Sequence, residues 1–191
     1  MSATARPQTN VGMALPWVNM MFDYTDKIAA AIPDELLDWR PTDPSGKWCF
    51  SLGEIAMHCA DARRMFARQL SGDAREDDYW SEGPGEDGVW PFKPHGSKQA
   101  ILDSLKSSRS ELQPFLERPA SSITEITEGT HKAYEQWLKQ MREKNKDTSE
   151  LEARGPANVV RVLMAATVHE SGHRGALQTL LRQHGINPAA E

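Results

Sequence analysis

A chain of 191 residues suits one domain and is long enough to bury a core without disulfides or metals as staples. At 39% hydrophobic and 26% charged it has the composition of an ordinary soluble globular protein, neither disordered nor fibrous. Its 22 basic and 27 acidic residues give a net charge of -5, the wrong sign for holding polyanions by counterion release, so nucleic acid is not an expected partner.

In chain order the pattern is helical almost throughout, because apolar residues recur at three and four and no alternating run of Val, Ile and Thr occurs. Leu15, Val18, Met21, Phe22, Thr25, Ile28, Ala29 and Ile32 make one helical stripe that Pro33 stops. A turn segment, Pro33 to Pro41, leads through a loop with Pro44, Gly46 and Trp48 to the clearest helix start in the chain. There Ser51 and Glu54 form a capping box, and Phe50 and Ile55 can staple it. The apolar face of this second helix runs to Leu70, and Ser71-Gly72 ends it.

From Ser71 to Gly96 the periodicity stops. This segment holds seven acids and two bases, so its charge equals that of the whole chain, and it carries Tyr79, Trp80, Trp90 and Phe92. It is expected to be a loop insertion, 71–96, solvated and pinned by its aromatics, with a lid as the alternative. A third helix starts near Ser97 and carries Ile101, Leu102, Leu105, Leu112, Phe115 and Leu116, with Pro114 bending it and Pro119 closing it. A shorter helix follows at about Thr130 to Lys144. The last opens at Gly155-Pro156, with Pro at the first helical position, and closes at Gly185. These elements predict an all-α fold, a helical bundle in one domain, 1–191. Two cysteines, no secretory leader pattern and an apolar stretch at Val159 to Val168 too short to span a bilayer predict a cytoplasmic protein with no membrane partner.

Three of the six histidines point inward. His169 and His173 are four residues apart on the apolar stripe with Val162 and Ala166, and His58 shares the core face of the second helix with Ile55 and Ala62. Burying unpaired imidazoles is costly unless something takes their lone pairs, and a divalent cation does. Three neutral imidazoles suit Zn, Ni, Cu or Fe and leave one coordination position open. His95, His131 and His184 lie in a loop or at helix ends and carry no such expectation. His169-Glu170-Ser171-Gly172-His173 also matches the H-E-x-x-H pattern of zinc proteases, but only 18 residues follow it and no strand pattern accompanies it, so protease ranks well below a bundle metalloprotein.

The run Pro33-Asp34-Glu35-Leu36-Leu37-Asp38-Trp39-Arg40-Pro41, then Trp48 and Ser51 to His58, resembles the first block of the DinB-like (DinB/YfiT) metal-dependent superfamily. His169 to Leu177, with Leu181 and Gly185-Ile186, resembles its second block. The resemblance implies an up-down four-helix bundle with an additional short connecting helix, and a metal on His58, His169 and His173. It implies one divalent transition metal, Zn or Ni, and a homodimer. Relatives include thiol-dependent transferases and isomerases that use bacillithiol or mycothiol, so a low-molecular-weight thiol is the implied small-molecule partner. Where relatives commonly carry Gln after the Arg-Gly that follows the last histidine, this chain has Ala176.

The leading expectation is a metal-binding bundle acting as a thiol-dependent S-transferase. The alternatives are a metal-dependent hydrolase and a non-catalytic stress-response module that holds a metal or small ligand. Cys59, rotated about 100° from His58, is expected in the core, and Glu170 is read as structural or supporting the ligands. Cys49 is a loop thiol with nothing nearby to activate it, Arg174 a surface or dimer contact, and Trp39, Trp48 and Trp90 buried aromatics.

Overall fold

The computed structural model describes residues 11–42, 49–73, 95–118 and 122–188, and every regular element among them is helical. Helix α1 spans Val11–Ala30, α2 Leu52–Ser71, α3 Lys98–Leu116, α4 Glu128–Glu143, α5 Ser149–Arg154 and α6 Val159–Gln183, with a 3-10 turn at Asp34–Leu36. No described residue forms a strand that could align a peptide beside His169 and His173. The resemblance to zinc proteases therefore ends at the five-residue pattern.

The start of α2 is written in its own side chains. Ser51 Oγ accepts the Glu54 N–H at 3.2 Å, and Glu54 Oε2 accepts the Ser51 N–H at 2.8 Å. Arg40 then donates to the other carboxylate oxygen at 2.6 Å, tying the turn after α1 to this helix. The far end stops at Gly72, whose φ of 86° suits glycine. Its neighbour across the chain is Gly129 of α4, where an added Cβ would lie 2.4 Å from Leu70 O, so α4 rests directly on the end of α2.

Two buried apolar clusters define the helix directions. One joins Val18 and Phe22 with Phe66, Leu70, Leu112, Phe115, Val159 and Leu163; the other joins Ile28 and Ile32 with Leu52, Ile55, Ile101, Leu177 and Leu181. Helices α1 and α6 run from the first cluster to the second, whereas α2 and α3 run back. The four long helices thus go up, down, down, up around one core, with α4 as the shorter connecting helix packed on α2. Because α2 and α3 point the same way, the C-terminal end of α2 and the N-terminal end of α3 lie at opposite ends of the bundle. The aromatics and the lid expectation of the 71–96 segment fall outside the described residues.

Two boundaries differ from the sequence expectation. Helix α6 begins at Val159, not at Pro156, because Asn158 Oδ1 caps the Arg161 N–H at 2.9 Å. The first two N–H groups of α6 are taken by Glu125 O at 3.2 Å and Ile123 O at 2.8 Å, a tertiary arrangement that no local pattern shows. Helix α5 was not expected either. It has six residues and buries none of them, so it has no apolar periodicity to read.

Candidate metal centre

Packing of α2 against α6 brings the three inward histidines together midway along the bundle. His58 Nε2 lies 3.0 Å from His169 Nε2, and the His173 ring centroid is 4.7 Å from each of the other two. One ring nitrogen of each residue falls within 4.8 Å of the others, and all three side chains are half-buried. The i, i+4 spacing supplies the pair on α6, and the α2 capping box, seven residues before His58, sets where α2 begins.

Electrostatics favour the ligand-competent form. Burial, followed by the proximity of His173 and His169, holds His58 down to about 3 from its ordinary 6.5. Burial and His169 hold His173 down to about 4, and burial lowers His169. Near neutral pH the cluster is therefore three uncharged imidazoles, the form that ligates a divalent cation, with the His58 and His169 Nε2 atoms at hydrogen-bonding distance from each other. Nitrogen ligands at about 2.05 Å from a tetrahedral ion would lie about 3.3 Å apart, close to the 3.0 Å between His58 and His169 Nε2. No carboxylate or thiol of a described residue joins the cluster, leaving room for an exogenous ligand. The residues fit a divalent transition metal, and the donor set does not choose among Zn, Ni and their neighbours.

Beside the triad lies a network that sequence reasoning missed. Arg63 has a completely buried side chain, and its Nε and Nη2 donate to Glu170 Oε2 and Oε1 at 2.9 and 2.6 Å. Its remaining N–H groups reach Leu105 O of α3 and Phe22 O of α1, both at 3.2 Å, and the guanidinium sits 4.5 Å from the Phe22 ring centroid. Asp26 Oδ1 is 2.8 Å from Nη2 as an ion pair, without the alignment of a hydrogen bond. Arg63 thereby touches all three neighbouring long helices. Burial pushes the Glu170 carboxyl up while Arg63 pulls it down, and Glu170 and Asp26 hold Arg63 protonated. With both oxygens engaged by Arg63, Glu170 is not placed as a general base. A helical wheel puts Arg63 on the core side of α2 at about 140° from His58, and a buried arginine there calls for a carboxylate partner, which was the available signal.

The remaining predicted residues disperse. Cys59 is fully buried and burial drives its thiol pKa upward, so it packs as a small apolar group. Arg174 is half-buried against Met21 Sδ at 3.4 Å, an intramolecular contact. His131 is exposed, and His184 meets the edge of Trp39 at 4.4 Å between centroids. His95 is structural in a specific way: its ring fills the space beside Gly53 and its Nε2 is 3.0 Å from Asp38 Oδ1. Cys49 is half-buried, and Trp48 and Trp90 lie outside the described residues.

Fold and site together define an all-helical bundle with a three-histidine centre between its second and last long helices. Residues 20–177 match the DinB superfamily, and the chain belongs to it. A crystal structure of a DinB-like protein from Bacillus cereus ATCC 10987 is similar over 93% of this chain and 95% of its own, at 21% identity and a TM-score of 0.55. Among curated proteins none matches.

Proposed function

We propose that the protein binds one divalent transition metal, Zn or Ni, through His58, His169 and His173 and acts as a thiol-dependent S-transferase. The observation that carries this reading is a cluster of three neutral imidazoles whose ligand atoms include no carboxylate of a described residue. Hydrolysis through an activated water is commonly helped by a nearby base, and the adjacent acid here, Glu170, is committed to Arg63. A thiol needs no such base, since a metal held by the three imidazoles would lower the pKa of a thiol bound at its open position and supply thiolate near neutral pH. The imidazoles hold and orient. Burial keeps them unprotonated, and all three keep part of their surface exposed.

The test is a metal-loaded sample given a low-molecular-weight thiol and a haloaromatic electrophile. Thiol-dependent consumption of the electrophile that disappears in His169→Ala is expected. Equal loss of the electrophile without thiol, or cleavage of ester or phosphate substrates without thiol, overturns the transfer reading in favour of hydrolysis. Metal uptake with neither reaction favours the non-catalytic module.

A further inference from the structure

A cavity of about 260 Å³ lies where α4 and α5 cover the groove between α2 and α6. Tyr134, Trp137 and Met141 of α4, Leu151 of α5 and Val162 of α6 make its walls mainly apolar. Trp137 lines the cavity and keeps 37% of its surface exposed. The cavity is near the size of small-ligand sites, which are mostly apolar with a few polar groups that fix orientation.

Its charges are distributed unequally. Arg154 is paired with Glu150 one turn earlier on α5. Asp147 is exposed and accepts the Ser149 N–H at 2.9 Å. Arg161, also in the wall, makes no side-chain hydrogen bond or ion pair with a described residue. It stands in the first turn of α6, where the helix dipole reinforces positive charge. A free guanidinium beside an aromatic wall is matched by an anion on an apolar body.

We propose that this cavity binds an apolar organic anion, a carboxylate or sulfonate carried on an aromatic or medium-length alkyl group, with Arg161 as its counter-ion and Trp137 against its body. No histidine of the triad lines the cavity, so the site stands whether or not the triad holds a metal. Its position is nevertheless in line with the triad. Val162 shares the helical face of His169, and Gln69 that of His58, each within about 20°, and Val162 lies about 10 Å along α6 from His169.

The test uses the full-length protein and calorimetric titration with naphthalene-2-sulfonate and its uncharged counterpart naphthalene-2-methanol. The sulfonate is expected to bind one saturable site, about fivefold more tightly than the alcohol. Arg161→Gln is expected to erase that difference while leaving the alcohol unchanged, and Trp137→Ala to weaken both by about tenfold. Both side chains are exposed, and unchanged melting temperatures establish that the variants fold. Absence of saturable binding overturns the site, as do variants that bind like the wild type, and equal affinity for the two probes overturns the anion.

Discussion

Arg63 of α2 and Glu170 of α6 form a two-pronged, fully interior hydrogen-bonded ion pair, and Glu170 is the residue directly after His169. The pair fixes how far α2 is slid along α6, and the same slide decides whether His58 meets His169. Removing Glu170 leaves the buried guanidinium only the partly exposed Asp26 as a carboxylate partner among the described residues, so Glu170→Ala is expected to lower stability by about 3 kcal/mol in chemical denaturation. The double change Arg63→Met with Glu170→Leu removes both charges and is expected to recover most of that loss. If the pair also positions the ligands, the double variant folds but binds Co(II) more weakly and with an altered visible spectrum. A refolded double variant with wild-type Co(II) affinity and spectrum leaves the pair a stability element only.

The triad makes its own prediction. His58, His169 and His173 are half-buried and meet one another ring to ring, so replacing one with Ala is expected to be tolerated by the fold. Metal affinity should fall by several orders of magnitude on loss of any one ligand. Elemental analysis of His169→Ala and His58→Ala after metal loading reads this directly. Full metal content in both variants moves the site elsewhere.

Protonation of the cluster gives a pH dependence whose sign is fixed. In the unfolded chain these histidines titrate near 6.5, whereas in the folded protein His58 is held to about 3 and His173 to about 4. Above pH 6.5 both states are neutral and the cluster adds no pH dependence. As pH falls from 6.5 toward 4, the unfolded state takes up protons that the folded state refuses, so stability is lost through that window. The melting temperature of metal-free protein should therefore drop more steeply between pH 7 and 5 than that of a His58→Ala, His173→Ala variant. Parallel curves for the two proteins would refute the shifts.

Much of this was legible in local sequence. The Ser51–Glu54 box, the Gly72 stop, the i, i+4 histidines and the stripes of α1, α2, α3 and α6 are short-range patterns that burial then enforces. What escaped reading depends on contacts between distant segments. Asn158 displaces Pro156 as the start of α6 because Ile123 and Glu125, more than thirty residues upstream, satisfy the N–H groups there. Around Arg63 the fold gathers carbonyls from α1 and α3 and a carboxylate from α6, partners that no local spacing connects. The parallel course of α2 and α3 likewise follows from which ends share a core, and no periodicity records it.

Contact between α4 and the end of α2 supplies a last prediction. At Gly129 a methyl group would meet Leu70 O at 2.4 Å and Gly72 N at 2.7 Å, both backbone atoms that cannot rotate away. Gly129→Ala must therefore push α4 off α2, at a cost of about 1–3 kcal/mol, despite the better helix propensity of alanine. Gly172 offers the matched control: an added Cβ there meets nothing within 4 Å, so Gly172→Ala in α6 is expected to be neutral or to stabilise by up to about 1 kcal/mol. Denaturation of the two variants side by side decides the matter. Similar effects at both positions would show that helix propensity, and not the close approach of α4 to α2, governs Gly129.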